Sequence, residues 1–167
     1  MQIGEKRMDW LREAYPLAES GEKVILCLPQ SQRRGMVMKM NKYNWLDDYL
    51  QAKKGCAKDY KLEWGWWRYQ VGGKLFAATC QPGPEHQGYD CRELLTLKCE
   101  PMLAEALRAE YPDIIPGFYT DKRNWISVFL DGAVPDDVLR GLCNRSYELV
   151  FGKLTKKMQR EIAEQAQ

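Results

Sequence analysis

"LEWGWWRYQVGGKLFAATC", residues 62–80, is the stretch that decides the fold. Residues 62–71 alternate as a strand, and residues 74–80 make the return strand. Gly72-Gly73 stands between them as a two-residue hairpin turn, because glycine accepts the positive φ that such turns require. Consecutive strands joined by so short a turn must be antiparallel. Beyond the hairpin, "QPGPEHQGYD" (81–90) reads as a loop and holds the single histidine, His86. "CRELLTLKC" (91–99) reads as a third strand and "NWISVFL" (124–130) as a fourth, stopped by Asp131-Gly132.

Helical signals surround these strands. Asn44 can cap a helix running to about Lys54 and ended by Gly55, with Trp45, Leu46, Tyr49 and Leu50 on one face. Glu100-Pro101 opens a second helix, since proline suits the first helical position. Leu103, Ala106, Leu107 and Tyr111 form its apolar stripe, and Pro112 ends it. Pro135-Asp136-Asp137 starts a third, with acids at its positive end and Val138, Leu142, Leu149 and Val150 on the core side. The tail from Lys153 is polar and helix-prone. The order helix, three strands, helix, strand, helix predicts an α+β domain of two layers: an antiparallel sheet with helices packed on one face.

The chain has 167 residues, enough for one domain with a substantial core. Its 25 cations against 23 acids leave a net charge of only +2, so any anion-binding role must rest on local clustering. The six cysteines include no Cys-x-x-Cys pair, which argues against a zinc site or a dithiol redox centre. No signal peptide or membrane-length apolar run is visible, so a cytoplasmic protein with free, mostly buried thiols is expected. No cofactor and no metal are expected.

Residues 1–35 differ in character from the rest. They read either as a leader preceding a natural start at Met36, Met38 or Met40, or as an extension packed on the core. Residues 36–157 then form the domain, and 158–167 a polar helical tail.

Three stretches in order carry a resemblance. "RYQVGGKLFA" (68–77) is a hairpin with Gly-Gly-Lys and a following Phe. "YPDIIPGFYTDKRNWISVFLDG" (111–132) runs from Tyr-Pro and Pro-Gly through a Lys and a Trp into a strand ending in Asp-Gly. "VPDDVLRGLCNRSYELVFGKLTKK" (134–157) holds Ser146-Tyr147 and a closing basic cluster. As a set, covering roughly residues 36–157, they resemble the MmcQ/YjbR-like proteins, bacterial domains of the "double wing", CyaY-like type. The resemblance implies the α+β fold read above and a DNA-binding role. It carries over no catalytic residue.

The residues themselves offer several candidate contacts. Lys122, Arg123, Asn124 and Trp125, with Lys74 at the hairpin, combine phosphate-binding groups with an aromatic that can stack on a base. Alternation divides the strand that follows. Ile126, Val128 and Leu130 suit a helix-covered core, whereas Trp125, Ser127 and Phe129 suit a partly open face. The competing reading is that both faces are covered and the cations are solvated loop residues. Lys153, Lys156, Lys157 and Arg160 either grip phosphates or complement a helix C-terminus. "EWGWWRY" places Trp64 and Trp66 on one side, Trp67 and Tyr69 on the other, as core packing or as an aromatic groove. Ser146-Tyr147 reads as structural, and His86 has no evident cysteine partner for catalysis. The expectation is a non-enzymatic DNA-binding module. The alternative is a protein- or small-ligand-binding domain using an aromatic sheet face.

Overall fold

In the computed structural model, residues 41–165 are described. The reading of residues 1–35 lies outside them. Four helices and six strands follow in the order α1 (Leu46–Gln51), β1 (Cys56–Lys61), β2 (Trp66–Val71), β3 (Lys74–Cys80), β4 (Leu94–Lys98), α2 (Pro101–Glu110), β5 (Ile114–Pro116), β6 (Trp125–Phe129), α3 (Asp136–Phe151) and α4 (Lys156–Glu164). The strands form one antiparallel sheet in the order β1-β2-β3-β4-β6-β5. The α+β class is as expected, and the main helix α3 packs across β2, β3 and β4.

Two strands go beyond the expectation. β1 precedes the hairpin, so the strand expected over 62–71 starts at Trp66 and residues 62–65 form a turn. β5 emerges from a stretch that reads as loop. The first helix is also shorter than expected: it begins at Leu46 after Trp45, and Asn44 caps nothing. α2 buries Ala104 and Leu107, while Ala106 is exposed. In α3 the buried side is Leu139, Leu142, Cys143, Ser146 and Val150, a register shifted by one residue at its start from the stripe expected.

Gly72 and Gly73 have φ of 56° and 73°, the conformation a tight hairpin needs. A Cβ added at Gly72 would lie 2.8 Å from Leu154 Cδ1. The hairpin therefore seats directly against the turn between α3 and α4.

One irregularity locks helix to sheet. Between Tyr69 and Gln70 the β2–β3 register shifts, leaving Phe76 as the extra residue of a bulge. Phe76 is fully buried, with the Tyr147 ring edge-on at 5.4 Å. Its carbonyl accepts a hydrogen bond from the Ser146 hydroxyl, which in turn accepts the Lys98 N–H at 2.8 Å. The β3–β4 ladder ends at Ala77–Leu97, so Ser146 of α3 bridges the next rung. Tyr147 completes the anchor by donating to the Lys54 carbonyl at 2.9 Å. Ser146→Ala leaves both backbone groups without their partner and is expected to cost about 1–3 kcal/mol in urea denaturation. A change below about 0.5 kcal/mol, the size of an ordinary surface effect, would show that the bridge is dispensable.

Candidate nucleic-acid interface

The sheet has two faces with different cover. On the helix side lie Tyr69, Leu95, Leu97, Ile126 and Val128, part of one continuous core with α1, α2, α3 and α4. The aliphatic half of β6 behaves as its alternation predicts. The other half does not: Ser127 is fully buried and Phe129 nearly so, and only Trp125 is half-exposed.

The cover over this second face comes from loops. Ser127 Oγ lies 2.7 Å from Thr96 Oγ1 and accepts the Phe118 N–H at 2.9 Å. That hydrogen bond seats Phe118 in a second small core with Trp66, Ala78, Cys80, Leu94 and Phe129. Tyr89 and His86 of the Pro/Gly loop close over Phe118, with ring centroids 4.9 and 5.1 Å from it. The expectation of a partly open face at Ser127 and Phe129 is therefore corrected. The loops that cover it hold their shape at a local cost, since Asp90, Cys91 and Tyr119 all have positive φ, near 50°. His86 sits among aromatic rings beside Glu85, at 3.3 Å.

At one end of the sheet the cations gather. The loop before β6 is tied by Asp121, whose carboxylate accepts the Arg123 N–H at 3.0 Å and the Asn124 side-chain amide. These bonds, the Asn124 amide first, hold the Asp121 carboxyl below its usual range. Asn124 is thus occupied within its own loop, while the Lys122 and Arg123 side chains are exposed. Trp125 pairs across the ladder with Lys98, whose ammonium stands 5.4 Å from the indole centroid. Burial, then the charge of Lys153 and more weakly that of Lys74, push the Lys98 ammonium down from the ordinary lysine value, and Asp121 opposes them. Lys74, Lys98 and Lys153 therefore share one electrostatic environment, which Arg123 adjoins through Asp121.

The remaining candidates stand apart. Lys122 lines an open groove of about 330 Å³ with Tyr89, Ile115, Pro116 and Phe129 on the loop-covered face. Lys156, Lys157 and Arg160 occupy the outer side of α4, with Lys157 near Glu161 at 3.9 Å. They are not among the charges acting on Lys98. Lys98 is the member that sequence reading missed.

The tryptophan cluster keeps the faces its alternation gives, with Trp64 against Trp66 and Lys58 lying over both Trp67 and Tyr69, but burial cuts across them. Trp66 and Tyr69 are buried, whereas Trp64 and Trp67 are exposed at the β1–β2 hairpin. Burial pushes the Cys56 thiol up to about 11 and the Cys143 thiol up to about 12. No helix among the described residues is long and apolar enough to cross a membrane, and none of their acidic, histidine and cysteine side chains cluster as a metal would require.

The family model named YjbR matches residues 51–149. The chain belongs to the YjbR family. Among its relatives, Escherichia coli K12 YjbR is 29% identical over 109 residues, covering 65% of this chain and 86% of the relative. Bacillus subtilis YyaQ is 29% identical over 108 residues, covering 60% of this chain and 91% of that protein. Among solved structures, the Deinococcus radiodurans protein DR2400, described as a DUF419 domain, superposes with a TM-score of 0.62 at 27% identity, over 75% of this chain and 90% of its own. A Pseudomonas syringae protein with a TM-score of 0.57 and 23% identity, covering 65% of this chain and 98% of its own, shares the fold. The matched region contains the hairpin, the Phe118 loop, β6 and Ser146, so the YjbR relationship spans both faces of the sheet.

Phe118→Ala is expected to remove the keystone of the second core. The anticipated loss is roughly 3–5 kcal/mol in chemical denaturation, with new binding of an apolar dye to the uncovered face. Unchanged stability and no dye binding would show that the loops do not close this face.

Proposed function

We propose that this YjbR-family chain is a non-enzymatic, cytoplasmic nucleic-acid-binding module that holds DNA phosphates at the end of its sheet. Lys74, Lys98 and Lys153 make the central contact, with Arg123 extending it along the loop before β6 and Lys122 adding charge from the neighbouring groove. Trp125 offers an aromatic edge beside them for stacking on a base.

The observation that carries the reading is the meeting of three elements at one end of the sheet: Gly72, two residues before Lys74, packs on Leu154 beside Lys153, and the Lys98 ammonium stands 5.4 Å from the Trp125 ring. That ammonium is disfavoured by burial and by two neighbouring lysines, with Asp121 as the opposing acid. A phosphate oxygen placed among these lysines relieves that repulsion and forms charge-assisted hydrogen bonds with several of them. The cations Lys156, Lys157 and Arg160 add long-range attraction from α4 rather than direct contact. Burial pushes the Cys56 and Cys143 thiols upward, the opposite of what a cysteine nucleophile needs at either position.

Titration of a short labelled DNA duplex across a salt series tests this reading. The logarithm of the affinity is expected to fall linearly with the logarithm of salt concentration. Lys74→Ala with Lys153→Ala is expected to lower the magnitude of the slope by about 2, roughly one for each phosphate no longer neutralised, and Lys122→Ala with Arg123→Ala to weaken binding similarly. An absence of binding at low salt, or slopes identical to wild type, eliminates the proposal.

A further inference from the structure

Among the described residues, six large hydrophobic side chains are exposed, and four of them stand on the β1–β2 hairpin: Tyr60 at 47%, Leu62 at 70%, Trp64 at 46% and Trp67 at 45%. Such a concentration marks a contact surface. Neighbouring charges show what can cover it. Lys58 is paired with Asp47 at 2.6 Å, Lys61 with Glu63 at 3.1 Å, and Arg68 with Asp59. Each cation here already has an acid, so the surface does not favour a polyanion. It is a separate place from the lysine cluster at the sheet's end.

We propose that this hairpin is a self-association surface, on which β1 of one copy pairs antiparallel with β1 of a second copy. Among the described strands β1 is the last in the sheet, and none of them pairs with its outer edge. An unpaired strand edge is a template for strand addition, and the register below pairs Asp59, Tyr60 and Lys61 of the two β1 strands. The sequence of β1 specifies one register. With a two-fold axis at Tyr60, Asp59 of each copy faces Lys61 of the other, giving two opposite-charge cross-strand pairs. On the opposite face the same register sets Tyr60 against its own equivalent. Tyr60 already contacts Trp67, with centroids 4.9 Å apart, so the two hairpins bring four rings together on that face. One register thus joins the Arg68–Asp59 and Lys61–Glu63 pairs of the two copies into one alternating charge network on one face and buries aromatic surface on the other. A shift by one residue breaks the two-fold Tyr60 pairing and no longer sets Asp59 against Lys61.

The register can be tested by charge reversal in the full chain, with mass measured by sedimentation equilibrium across a concentration series. Wild type is expected to reach the mass of a dimer. Asp59→Lys alone and Lys61→Asp alone each place like charges opposite one another twice, and each is expected to weaken dimerisation about tenfold or more. An equimolar mixture of the two single variants restores both pairs and is expected to dimerise as wild type does. Near-UV circular dichroism confirms that each variant retains its tertiary packing, and Trp67→Ser serves as a second variant that weakens association without touching the charge pairs. A wild type that stays monomeric throughout, or a dimer unaffected by all of these substitutions, overturns the proposal. So does a mixture no stronger than its components.

Discussion

The hydroxyl of Ser127 decides what this sheet can present. It lies on the face opposite the helices, fully buried, where a polar group must find partners or destabilise the fold. Its partners are the Thr96 hydroxyl on the neighbouring strand and the N–H of Phe118 from a loop. Because that loop carries an aromatic ring, satisfying the hydroxyl also caps the face. With the cap in place, the second core forms and β6 is buried on both sides at its centre. What remains open is the periphery: the sheet's end around Lys98, and the hairpin β1–β2.

The other face depends on a comparable device. Ser146 reaches from α3 into the β3–β4 ladder at the place where the Phe76 bulge interrupts regular pairing. The same contact positions Lys98, whose backbone N–H is one of the two groups held. The seating of Gly72 against Leu154 then brings the hairpin lysine Lys74 and the turn lysine Lys153 to the same end. The basic cluster is thus a consequence of how helix, bulge and hairpin meet, not of any basic run in the chain.

Much of the fold was legible because its signals are local. Gly72-Gly73, Pro101, Pro135 and the alternation of Ile126, Val128 and Leu130 each act within a few residues. β1 left little trace, since "CAKDYK" is an exposed edge strand with no apolar alternation to detect. β5 has three residues and ends in proline, so it was indistinguishable from loop. Alternation showed that Trp125, Ser127 and Phe129 share a face, but not that a Pro/Gly loop covers it, because cover is a tertiary fact. The candidate site divides the same way. Lys122 and Arg123 were visible as neighbours in sequence, while Lys98 joins them only through its pairing with Trp125 across the sheet. Asn124 looked available and is instead spent within its own turn on Asp121.

Membership of the YjbR family fits a scaffold whose centre is closed on both faces and whose contacts lie at its margins. The central claim is that the sheet end around Lys98 is where DNA is held. Its most direct test is to follow the backbone amide resonances of the isotope-labelled protein during titration with a short duplex at low salt. The account predicts that the largest shifts fall on Lys74, Lys98, Arg123, Trp125 and Lys153, with the β1–β2 hairpin unmoved. Shifts confined to that hairpin, or no shifts at all, would contradict it.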